Sequence, residues 1–151
     1  MSGFLLDTNV ISLLAPSRET TPAAFVSWLE RADNDGQLYL SVVTVHEIEK
    51  GVKLLAHKGA TAKSAALRTW LSGLVTTYGD KILPLDIHIT SVSGQLEAKA
   101  IASGHSPGMA DALIAGTAMA LDLAVITRNA RHFQPFGITA YAPEDIGSIP
   151  G

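Results

Sequence analysis

Short, unbroken apolar runs alternate along this chain with longer stretches of helical period. GFLL at 3–6, QLYLSV at 37–42, KILPL at 81–85, LAVIT at 123–127 and GITAY at 137–141 have the length and composition of strands. Between them, helical patterns run over about 8–14, 22–34, 44–59, 61–78 and 88–104, two of them stopping at Gly59 and Gly104. Ser106 and Pro107 read as the N-cap and first residue of a last helix that reaches Leu121. Pro84 cannot donate to a ladder, so the third strand is expected at a sheet edge or to end there. Strands that alternate with helices predict an α/β fold with a mostly parallel, roughly five-stranded sheet. Strands apolar throughout predict cover on both faces, a three-layer α/β/α arrangement. In such sheets, sites gather beyond the carboxyl ends of the strands.

The 151 residues carry no repeat, low-complexity tract or long linker, so residues 1–151 are read as one domain. Apolar residues at 47% against 17% charged exclude a disordered chain. The absence of cysteine excludes disulfides, thiolate zinc sites and cysteine nucleophiles. Near the N-terminus the only apolar run is FLL, with no basic residue before it. Neither a signal peptide nor a membrane span is expected, and the reading is of a cytoplasmic protein. A formal charge of −3 weighs against a nucleic-acid partner. That weight lessens if an acidic cluster binds cations, which restore positive potential where phosphate must sit.

Three acids then stand out. Asp7 directly follows the first strand, which puts a carboxylate on the carboxyl rim of the sheet; taken locally, Asp7-Thr8-Asn9 is also good turn and capping material. Glu47 follows the second strand and completes a capping-box pattern with Thr44, so it either caps its own helix, points to the rim, or does both. Asp111 lies in MADALIAGTAMAL, a helix apolar or small nearly all round and therefore expected to be buried. A favourable charge near a helix N-terminus contributes only about 0.3–1 kcal/mol, little against the penalty for burying an unpaired carboxylate. Asn129 follows the fourth strand beside Arg128, Arg131 and His132, the most basic short segment of the chain. Its amide is a neutral ligand for a metal or a metal-bound water, or a plain turn residue. The four positions fall at the carboxyl ends of three strands and in the first turns of two helices. Oxygen donors without a histidine or cysteine partner suit Mg²⁺ or Mn²⁺ rather than Zn²⁺.

FLLDTNVIS at 4–12, SVVTVHEIEKGV at 41–52, PGMADALIAGTA at 107–118 and VITRNARHF at 125–133 resemble, in order, the four signature blocks of PIN domains. The match is closest to the VapC-like toxin branch, including its FitB-type members. The resemblance implies a PIN fold and a metal-dependent endoribonuclease, with the metal-site roles falling on Asp7, Glu47 and Asp111 and supporting roles on Asn9 and Thr127. Asn129 stands where many relatives carry Asp, and His132 where others carry a slightly later acid. One tight metal site is therefore expected, with at best a second that fills with substrate. The implied reaction is in-line hydrolysis of an RNA phosphodiester, with the ion acidifying water and stabilising the leaving oxygen. Arg128, Arg131 or His132 would position the phosphate, unless they are ordinary surface charges.

The resemblance also implies a cognate antitoxin and a toxin homodimer. An apolar stripe over Ile48, Val52, Leu54, Leu55, Leu67, Trp70, Leu71 and Leu74 reads first as core, with a groove for an antitoxin helix as the second reading. The rival to the nuclease is a non-catalytic nucleic-acid or protein-binding module on the same fold, to which Asn129 lends weight. A haloacid-type hydrolase would need a second Asp soon after the first, and DTNVIS has none. No P-loop or dinucleotide fingerprint follows a strand, and no serine-hydrolase elbow is expected.

Overall fold

The computed structural model describes residues 2–15 and 21–149. Its strands are β1 (Phe4–Leu6), β2 (Leu38–Ser41), β3 (Ile82–Leu83), β4 (Ala124–Ile126) and β5 (Ala140–Tyr141). They form one parallel sheet in the order β3-β2-β1-β4-β5. β1 is central, and Phe4 is in register with Leu38 on one side and Ala124 on the other. The helices are α1 (Thr8–Ile11), α2 (Ala23–Asn34), α3 (Val42–His57), α4 (Thr61–Tyr78), α5 (Ile87–Ala102) and α6 (Met109–Leu121).

Side chains alternate across each strand, which splits the core in two. Leu5 and Val125 pack with Leu96 of α5, Ile114 of α6, Phe133 and Phe136. Their neighbours Leu6 and Ile126 join Leu38 and Leu40 on the opposite face, with Phe25 and Leu29 of α2, Ile48 of α3 and Leu71 of α4. The result is the expected three-layer α/β/α fold. As Pro84 required, β3 is an edge strand and stops at Leu83.

Several boundaries differ from the sequence expectation. Ser41 accepts from the Val43 amide at 3.0 Å and caps α3 two residues earlier than read. Thr44 is thereby the third residue of the helix, so the capping box with Glu47 does not form. The last helix starts at Met109, not at Pro107: Gly108 has the extended cap backbone and its carbonyl accepts from the Ala112 amide at 3.1 Å. Gly104, at φ +88°, does end the segment after α5, as a left-handed position favours glycine. Three 3-10 helices, Gly79–Lys81, Ala130–Phe136 and Pro143–Ser148, were not foreseen, because runs this short carry too few repeats to show a period.

α5 and α6 form the most extensive helix pair. They approach closely at Gly116, where a Cβ would lie 1.9 Å from Ser93 Oγ and 2.8 Å from its Cα. Gly116→Ala gains up to about 1 kcal/mol of helix propensity. Overpacking against backbone costs about 1–3 kcal/mol. A net loss of stability is expected, read as a lower urea midpoint at unchanged slope.

Candidate active site

At the carboxyl end of β1, Asp7 leaves the strand with extended backbone and caps α1. Its Oδ1 accepts from the Thr8 amide at 2.8 Å, and its Oδ2 accepts from Thr127 Oγ1 at 2.9 Å. Thr127 follows β4, so this contact ties the ends of two neighbouring strands. Asn9 braces the same corner: its Oδ1 accepts from the Arg128 amide at 3.0 Å and its Nδ2 lies 3.3 Å from Thr127 Oγ1. The Asn129 amide donates to Thr127 Oγ1 at 3.1 Å. On the other side of Asp7, Thr8 Oγ1 donates to Glu47 Oε1 at 2.6 Å and lies 3.0 Å from Thr44 Oγ1. Glu47 therefore points back at the rim from the second turn of α3, and Asp111 comes from the first turn of α6.

Asp7, Glu47, Asp111 and Asn129 all line one cleft of about 290 Å³, together with Thr8, Asn9, His132 and Phe133. Its electrostatics are strained. Burial pushes the Asp7 carboxyl up from 3.8 to about 6, and the hydrogen bonds from Thr127 and Thr8 only partly offset it. The neighbouring charges that act on Asp7, those of Asp111 and Glu47, push the same way. Burial also raises Asp111, with Glu47 adding to the rise and His132 opposing it.

A model of the PIN domain matches residues 4–136. The chain belongs to the PIN-domain family. It is 31% identical over 139 residues to toxin FitB of Neisseria gonorrhoeae, covering 92% of this chain and 96% of that one. It is 33% identical over 140 residues to VapC ribonuclease Y4jK of Sinorhizobium fredii, with the same coverages. A chain of the crystal structure of FitAcB from Neisseria gonorrhoeae superposes with a TM-score of 0.77 at 32% identity, over 93% of this chain and 98% of that one.

Within this PIN fold the four acidic and amide positions singled out in the sequence come together. The basic segment divides. His132 lines the acidic cleft and both clefts adjoining it, Arg131 lines both adjoining clefts, and Arg128 lines the one with Glu144 and Asp145. Thr8, which holds Glu47 and in turn touches the Thr44 hydroxyl, was missed in this role; it lies inside the DTN run, but only the α1–α3 contact reveals what it does. The antitoxin stripe is chiefly core: Ile48, Val52, Leu71 and Leu74 are buried, with Leu67 and Trp70 packed on them, and Leu54 exposed. Residues 104–108, Gly-His-Ser-Pro-Gly, do carry the spacing of a nucleophile elbow, contrary to expectation. They join α5 to α6 rather than a strand to a helix, so the elbow geometry is absent.

The residues fit a divalent cation. Their donors are oxygens, and burial, with a smaller part from neighbouring acids, raises the proton affinity of Asp7 and Asp111, which a cation would relieve. Among the described residues no three His, Cys, Asp or Glu side chains are gathered tightly enough to hold an ion unaided. An ion held here would complete its shell with water, as Mg²⁺ characteristically does.

Because Asp7 ionises near 3.8 unfolded and near 6 folded, the folded state holds the extra proton between those values. Stability should fall as pH rises from about 4 to about 6 and stay reduced above. Asp7→Asn retains an acceptor for Thr8 and gains a donor for Thr127. It should melt higher than wild type at neutral pH, by on the order of 5 °C, and alike below pH 4; thermal unfolding at both pH values checks this.

Proposed function

We propose that the chain is a metal-dependent endoribonuclease, the toxin of a toxin–antitoxin pair. The observation that carries this reading is the convergence of Asp7, Glu47 and Asp111 on one cleft at the carboxyl rim of a PIN sheet. The likeness to a VapC ribonuclease and to toxin FitB supports the substrate and the biological role.

Asp7 and Asp111 would hold Mg²⁺ or Mn²⁺, with Glu47 reaching it directly or through water. Such an ion, when bound, acidifies water and screens the charge of a phosphodiester. The chain's own part is positioning. Thr127 and the Thr8 amide fix both oxygens of Asp7, leaving their remaining lone pairs toward the cleft. Thr8 Oγ1 anchors one oxygen of Glu47. His132 offers an imidazole beside Asp111 that can donate to a phosphate oxygen. Asn129 adds no charge, which favours one tight ion over two. A cognate antitoxin would cover the cleft, and the toxin would act as a homodimer in the cytoplasm; no described helix is long and apolar enough to cross a membrane.

A second reading, a non-catalytic binding module, is favoured by Asn129, which brings an uncharged amide to the rim where a further acid would strengthen a metal site. Purified, antitoxin-free protein should cleave labelled RNA with Mg²⁺ or Mn²⁺, stop in EDTA, and lose cleavage in Asp111→Asn. Folded, metal-loaded protein that binds RNA yet cleaves none would establish the module instead. Thr127→Val should fold yet bind the ion about 10–100-fold more weakly, as expected when a partner that orients a metal ligand is lost; metal titration by calorimetry reads this directly.

A further inference from the structure

Two clefts open from the acidic one, and they differ in chemistry. The first, about 530 Å³, shares Asp111 and His132 with it and continues along the 105–108 segment and the 3-10 helix, past His105, Ser106, Pro107, Arg131, Gln134 and Pro135. The second, about 240 Å³, shares Asn129 and His132 and runs past Arg128, Arg131, Glu144 and Asp145. Ligand pockets for small organic molecules span about 300–1,000 Å³, which the first reaches and the second does not.

The linings reinforce the choice. Beyond the shared residues, the first cleft adds an arginine and no acid. The second shares that arginine, Arg131, and adds Arg128, but its two acids cancel both charges and leave no net attraction for a phosphodiester. The first also carries what an unpaired base needs: the imidazole of His105 and the ring faces of Pro107 and Pro135 to lie against, and the Gln134 amide to pair with a base edge. His105 and Gln134 are exposed, so their side chains are not committed to the core.

We propose that the cleft formed by His105, Pro107, Arg131 and Gln134 is a subsite for the unpaired nucleotide flanking the scissile phosphate, and that the substrate strand leaves the acidic pocket by this route rather than past Glu144 and Asp145. Arg131 holds the next phosphate, His105 stacks on the base and Gln134 reads its edge. This rests on the nuclease reading, which the test must keep separate.

The probe is a labelled, randomised single-stranded oligoribonucleotide, followed by its best-cut sequences remade with an abasic ribose on either side of the cut. His105→Ala and Gln134→Ala should each raise KM about ten-fold, the scale of one lost base contact, with kcat little changed. The effect should vanish when the abasic ribose occupies one particular side. Glu144→Gln and Asp145→Asn should leave KM and kcat unchanged. Wild-type kinetics in His105→Ala and Gln134→Ala, or a KM rise that persists with abasic ribose on both sides, overturns the subsite and leaves the nuclease standing. So does an abasic-sensitive change confined to Glu144→Gln and Asp145→Asn. If wild-type protein with Mg²⁺ or Mn²⁺ cuts nothing, the nuclease reading fails by itself. Fluorescence anisotropy of the same oligonucleotide then decides the subsite: weaker binding by His105→Ala retains it, and equal binding removes it.

Discussion

The hydrogen bond from Thr127 Oγ1 to Asp7 Oδ2, 2.9 Å long, joins the ends of two adjacent strands that lie 120 residues apart in sequence. Around it the rest of the rim is ordered. Asn9 grips the Arg128 amide, Asn129 donates back to Thr127, and Thr8 reaches across to Glu47. Each contact satisfies a polar group that β1 and β4 carry to the edge of a dry core, where an unpaired one would be destabilising. The geometry of the acids is thus a by-product of satisfying the ends of a parallel sheet.

That arrangement sets folding against chemistry. Asp7 is almost wholly buried, and its neighbours by charge are other acids. An amide residue there would keep an acceptor and suit the fold better, yet it would not attract a cation with the same strength. The two cores take the opposite part. Alternating Leu5 and Leu6, and Val125 and Ile126, nail the strands into both layers, so the repulsion at the rim is held by apolar packing behind it. Ser93 and Gly116 lock α6 onto α5, which fixes the helix whose first turn presents Asp111.

Much of this was readable from the chain alone. Unbroken apolar strands and periodic helices predicted the layers, and an acid directly after β1 or inside an apolar helix stood out against burial. What escaped was local hydrogen bonding. Thr44-x-x-Glu47 looks like a capping box, but Ser41 competes for the same helix start and wins by lying at the end of β2. Ser106-Pro107 looks like a helix start, but Gly108 takes the cap and leaves 105–108 outside the helix as a cleft wall. The 3-10 helix Ala130–Phe136 carries Phe133 and Phe136 into the core at an i, i+3 spacing, but the run is short and interrupted by Pro135, and with it goes the placement of Arg131 and His132.

The residues that close the rim are numbered 7, 47, 111 and 127, so they enter the world at widely separated moments of synthesis. β1 sits at the centre of the sheet but is made first, and it must wait for β4 before its carboxylate finds Thr127. Long-range parallel pairing of this kind is slow to form. A ribosome still adding the last helix holds a chain with no assembled cleft. Whatever these acids do, they cannot do it until residue 127 has been made and has folded back onto residue 7.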